Sequence, residues 1–133
     1  MPNAAAFGCG VDVVELPRFK RALSRGGKAF LRRVFTEQEQ AYARARRRTT
    51  LLHLAGRFAA KEAVMKAVSQ LDPHRVLAMN QIEVCNDRWG RPRIVLHEPA
   101  RRGARRRALR LFVSLSHVES VAVASAIATC EKL

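Results

Sequence analysis

The chain has 133 residues, 48% of them hydrophobic, which is the size of one domain able to fold around its own core without covalent staples. Its 25 Lys and Arg against 11 Asp and Glu leave a formal charge of +14, a field that attracts an acidic protein, a nucleotide, a nucleic acid or a membrane surface without choosing among them. Three scattered cysteines without a CxxC pair exclude a zinc knuckle and a disulfide framework, and the longest uncharged apolar run, 120–130, is shorter than the roughly 20 residues a bilayer span needs.

In chain order, Phe7 to Val14 is short and rich in valine and reads as a first strand. The residues at its start lack the basic leader of a signal peptide, so the expectation is a soluble, cytoplasmic protein whose residues 1–133 form a single domain. Pro17 suits the first turn of a helix running to about Arg25, where Gly26-Gly27 ends it, and Phe30, Val34 and Phe35 form a second short helical patch. Thr36 followed by Glu39 has capping-box spacing and predicts a helix that runs through Arg44, Arg46, Arg47 and Arg48.

The strongest helix follows, from Thr50 to Leu71. Leu51, Leu54, Ala55, Phe58, Ala59, Val64, Ala67 and Val68 recur at helical spacing, and Arg57, Lys61, Glu62 and Lys66 are predicted to share the opposite side. Asp72-Pro73 breaks it. Residues 81–86 and 91–97 predict an antiparallel hairpin through the turn 86–90, an arginine-rich short helix or loop spans 99–108, and 111–116 and 121–128 predict two further strands. The order implies an α+β fold in which a long central helix packs on an antiparallel sheet.

Few residues in these elements invite chemistry. Asp12 sits inside an apolar strand, where a carboxylate is either on the solvent face, paired, or bound to a cation. Glu62 and Lys66 lie one helical turn apart, which describes an ordinary helix pair as well as a site that shares one divalent ion with a polyphosphate, since magnesium takes one or two protein carboxylates and fills its remaining positions with phosphate and water. His117 closes the polar step 114–117 at a strand end, as a structural or a functional histidine. No HxxxH, nucleophile elbow or GxxxxGK loop is present. A basic nucleic-acid-binding module is the alternative, but aromatics are only 6% and Tyr42 alone lies near an arginine run.

Taken in order, GCGVDVVELPRF, RVFTEQE, LAGRFAAKEAVMKAV, IEVCNDRWGRPRI and SLSHVESVAVASA resemble the holo-acyl-carrier-protein synthase family of phosphopantetheinyl transferases across nearly the whole chain. The resemblance implies that Asp12 and Glu62 bind magnesium and that Glu62 and Lys66 are catalytic. It implies coenzyme A binding by Arg57, Lys66, Gly90, Arg91, Pro92, Ser116 and His117, and carrier docking by Arg18, Arg21, Arg25 and Arg33. It further implies a trimer with sites at subunit boundaries, an acidic acyl-carrier protein as partner, a place in fatty-acid biosynthesis, and attack of a carrier serine on the β-phosphorus of coenzyme A with release of adenosine 3′,5′-bisphosphate. Nucleic acid and membrane are not expected partners. Ser69-Gln70-Leu71-Asp72-Pro73 stands where family members commonly carry a glycine-rich turn, and the arginines of 101–110 have no counterpart in the family pattern.

Overall fold

In the computed structural model, which describes residues 6–131, β1 (Ala6–Glu15) leads into α1 (Leu16–Val34), α2 (Glu37–Ala45) and the 22-residue α3 (Thr50–Leu71). The hairpin β2 (Ile82–Asn86) and β3 (Pro92–Leu96), the short α4 (Ala100–Arg106), and β4 (Arg110–Val118) with β5 (Val121–Cys130) complete the chain. The α+β architecture is therefore as the pattern implies. β5 lies between β1 and β4 in an antiparallel sheet, and β2 with β3 forms a separate two-stranded one. Among the described residues no helix is long and apolar enough to cross a membrane.

Small residues set the spacing between α3 and the sheet. The inward face of β5 is Ala122, Ala124, Ala126 and Ala128, all buried. On β1 the inward positions include Gly8 and Gly10, where an added Cβ would come within 2.0 Å of Ala67 O and 2.1 Å of Ala63 O. The strand backbone thus rests directly on the helix, which requires glycine at both places. Inward positions alternate, so Asp12 follows Gly8 and Gly10 toward α3. On the other side of α3, α1 supplies Phe19 and Phe30, which meet Phe58 with ring centroids 5.4 and 6.5 Å apart.

Three local expectations are corrected. The helix beginning at Leu16 does not end at Gly26-Gly27 but resumes after a break in which Gly27 takes φ 56°, a left-handed value that glycine adopts without strain, so 16–25 and the patch at Phe30 form one kinked element. The helix after Thr36 has its capping box, with Glu39 N–H donating to Thr36 Oγ1 at 3.2 Å and Thr36 N–H to Glu39 Oε1 at 2.9 Å, yet it stops at Ala45 and Arg47–Thr49 form a 3-10 turn instead. Arg57 and Lys61 do not share an outward face with Glu62 and Lys66: Arg57 is 5% exposed and Lys61 fully buried.

Lys61 survives burial because each of its three donors is satisfied. Its Nζ reaches Val34 O at 2.6 Å, Met79 O at 3.0 Å and Glu39 Oε1 at 2.5 Å, while Glu39 Oε2 accepts from Val84 N–H at 2.8 Å. Burial pushes the Lys61 ammonium pKa down and the Glu39 carboxylate opposes that shift. One ion pair thereby ties the end of α1, the start of α2, the approach to β2 and β2 itself to α3.

Candidate active site

The β1 residues that touch α3 determine what meets across the seam. Asp12 is the first inward position of β1 beyond the two glycines, and Glu62, Ala63, Lys66 and Ala67 lie along the facing stripe of α3. Lys66 Nζ donates to Val11 O at 2.9 Å and to Asp12 Oδ1 at 3.2 Å. Asp12 and Glu62 line one pocket of about 340 Å³ that Phe19, Phe30 and Phe58 also line. Asp12 is therefore not on a free solvent face, and Glu62 is more than half of an ordinary helix pair.

The electrostatics of this pocket favour a cation. Burial raises the pKa of Glu62 above the usual carboxylate range, the Asp12 charge raises it further, and Lys66 opposes both. A carboxylate whose ionisation is disfavoured by burial and by a neighbouring negative charge accepts a hard cation in place of a proton. Among the described residues no group of three or more His, Cys, Asp or Glu side chains converges to hold a metal. Two carboxylates match magnesium, which keeps waters and phosphate oxygens for the rest of its octahedron.

The other predicted residues lie elsewhere in the single chain. Arg18 lines the same pocket from the first turn of α1, and Arg21, Arg25 and Arg33 are exposed along that helix, none of the four in an ion pair among the described residues. Gly90, with φ 80°, turns the hairpin, and Arg91 is held by Asp87, Nε to Oδ2, at 2.8 Å. Arg91 and Pro92 open instead onto a cleft of about 470 Å³ against Leu111, Phe112 and Val113. Ser116 and His117 end β4 opposite Val123 and Ala122, two strands and roughly 10 Å from β1.

Arg57 belongs to a fourth cluster. Its guanidinium carbon sits 4.1 Å from the centre of the Tyr42 ring, Arg46 sits 3.4 Å from the same ring, and His53 meets that ring edge-on at 5.4 Å. Arg57 Nε is buried without a hydrogen-bond partner. Burial lowers the pKa of His53, and the charges of Arg57, Arg46 and His117 lower it further. One chain thus assembles Asp12, Glu62, Lys66 and Arg18, and holds Gly90, Arg91 and Pro92, and separately Arg57, Ser116 and His117, away from them. Sequence reasoning missed the wall of Phe19, Phe30 and Phe58, whose only signal is that three of the six phenylalanines fall on α1 and α3 at positions that face each other.

Comparison with known proteins gives one consistent family. Residues 8–125 match the 4′-phosphopantetheinyl transferase superfamily. The holo-[acyl-carrier-protein] synthase of Moorella thermoacetica is 43% identical over 119 residues, 89% of this chain and 90% of its own, and that of Geobacter sulfurreducens is 40% identical over 119 residues, 89% and 93%. Among solved structures, an apo-ACPS from Chronobacterium ammoniagenes superposes with a TM-score of 0.82 at 35% identity, covering 96% of this chain and 99% of that one. The ACPS-CoA complex from the same organism gives 0.80 at 36%, covering 94% and 98%.

Proposed function

Since the chain belongs to the 4′-phosphopantetheinyl transferase superfamily, as an enzyme of the holo-[acyl-carrier-protein] synthase type, we propose that it moves the phosphopantetheine arm of coenzyme A onto a serine of an acidic apo acyl-carrier protein, with magnesium held by Asp12 and Glu62. The observation that carries this reading is the meeting of Asp12, Glu62 and Lys66 across the seam between β1 and α3. The bound ion supplies charge stabilisation at the diphosphate. Lys66 releases its contact with Asp12 to reach a phosphate oxygen, which places a positive charge beside the leaving group as negative charge builds there. Glu62 lies in the pocket where it can take the serine proton, directly or through a water. The aromatic wall excludes water from one side of the pocket. Adenosine 3′,5′-bisphosphate leaves, and the carrier so loaded with a thiol arm suits fatty-acid biosynthesis in the cytoplasm.

The outer face of the large sheet supports a trimer. Phe7, Val11, Val13, Phe112 and Ile127 all point away from α3 and are between 50% and 68% exposed. An apolar surface of that kind marks an interface. Assembly through it allows the hairpin residues Gly90, Arg91 and Pro92, and Ser116 with His117 and Arg57, to serve coenzyme A bound at a neighbouring subunit's Asp12 and Glu62. The nucleic-acid alternative loses Tyr42 as a stacking ring, because that ring is already engaged by Arg46, Arg57 and His53.

The test is incubation with coenzyme A, Mg²⁺ and an apo carrier protein, read by intact mass. The expected result is a gain of one phosphopantetheine that needs the metal and disappears in Asp12→Ala. Transfer that survives chelation, or that Asp12→Ala performs normally, overturns the assignment.

A further inference from the structure

The arginine-rich stretch after the hairpin does not line the pocket of Asp12 and Glu62, and it is where ten consecutive residues carry the most positive charge. Arg101, Arg102, Arg105, Arg106, Arg107 and Arg110 fall within ten residues. The structure folds part of this stretch back on the loop that follows α3, leaving a pocket of about 310 Å³ lined by Asp72, His74, Arg75, Gly103, Arg106 and Arg107. It shares no lining residue with the pocket of Asp12 and Glu62.

The pocket is built by specific contacts. Arg75 lies flat against α4, with Nη2 donating to Ala100 O at 3.3 Å, and it can do so because position 103 is glycine: a Cβ there would fall 2.3 Å from Arg75 Nη2. Arg107 Nη1 is held 2.6 Å from Asp72 Oδ2. The other oxygen of Asp72 accepts the His74 backbone N–H at 3.1 Å. The only carboxylate lining the pocket is thereby engaged on both oxygens, against three arginines. Arg106 is in no ion pair among the described residues, and the charge of Arg107 adds to burial in lowering the pKa of Arg75. Three guanidiniums and an imidazole facing one concavity, with a single saturated carboxylate among them, leave an excess of fork-shaped donors of the geometry that tetrahedral oxyanions accept.

We propose that the pocket between the 72–75 loop and α4 is a binding site for a phosphoryl anion, gripped by Arg75, Arg106 and Arg107 and separate from the Asp12 and Glu62 site. This inference does not rest on the transfer reading. The phosphoryl group has two sources, free orthophosphate or a phosphate of coenzyme A, and they are separable by experiment.

The experiment uses a Lys66→Ala background, so that the transfer site contributes little, with orthophosphate titrated by calorimetry at constant ionic strength. Saturable binding is expected, weakened about tenfold or more by Arg106→Gln, an exposed and unpaired position. Gly103→Ala, which displaces Arg75, is expected to weaken it similarly while circular dichroism stays unchanged. In the otherwise wild-type enzyme, a rise in the coenzyme A KM of Arg106→Gln assigns the pocket to the substrate's own phosphate, whereas an unchanged KM assigns it to the free anion. Absence of saturable phosphate binding, or binding that neither substitution weakens, overturns the proposal.

Discussion

Glu62 carries the sharpest conflict between stability and chemistry. Burial and the Asp12 charge raise its pKa, so the folded protein holds that proton more tightly than the unfolded chain does. The resulting contribution to stability is full below the unfolded carboxyl value of about 4.3 and is lost as pH rises through the folded value. At neutral pH the ionised side chain therefore destabilises the metal-free protein. Glu62→Gln is expected to raise the metal-free Tm by about a few degrees at pH 8, with a smaller rise at pH 4, and to show none of the further rise expected of the wild type with Mg²⁺, all read by scanning calorimetry. A substituted protein that melts lower than wild type at pH 8 without metal contradicts this account. Lys66→Ala, by contrast, is expected to lower kcat by about a hundredfold with a smaller change in the coenzyme A KM, in steady-state transfer assays. These side chains were legible in the sequence as a carboxylate out of place in a strand and a Glu and Lys one turn apart. Their meeting was implied by the family resemblance alone, because no local spacing reveals that Gly8 and Gly10 let strand and helix backbones touch.

Among the elements, α3 was legible to its end residues, and the capping box, the hairpin and the two last strands were legible with strand bounds off by two residues or fewer, since each is announced by neighbours in the chain. The burial of Lys61 was not legible, because helical periodicity shows a polar residue but not what covers it; Glu39, Val34 and Met79 arrive from distant segments. Removing one partner of this pair strands a buried charge. Lys61→Met and Glu39→Leu are each expected to cost about 3–5 kcal/mol in urea unfolding, and the two together to cost less than the sum of the singles. Additive losses would mean that the two side chains act independently. At the seam, Gly10→Ala forces its new methyl against Ala63 O, so the strand must lift from the helix. The expected loss is on the order of 3 kcal/mol, read by the same unfolding, together with weaker Mg²⁺ binding as Asp12 retreats.

On the scale of the whole molecule, the two faces of the large sheet differ in what they meet. The inner one is closed by α3, while the outer one leaves Val13 and Phe112 half exposed or more. If the proposed trimer forms through this face, Val13→Glu or Phe112→Lys is expected to give monomers in sedimentation velocity and to lower transfer by about tenfold or more, since one chain keeps its hairpin cleft apart from its carboxylate pocket. A monomeric variant with full activity would place every functional group within one chain. The overall positive charge acts at longer range. Arg18→Glu, at the pocket mouth, is expected to raise the carrier KM far more than the coenzyme A KM, with the difference shrinking as salt is added; equal effects on both would count against docking there. The bare glycines of β1 and the methyl-lined inner face of β5 also restrict how such a chain can diverge. Ala63, Ala67, Ala124 and Ala126 have no room into which a larger residue could grow, so a randomised library should return only alanine, glycine or serine at those positions. Novelty must enter through the outer helices and the sheet's bare side, which leaves the catalytic groove the slowest part of the protein to change and its choice of companions the quickest.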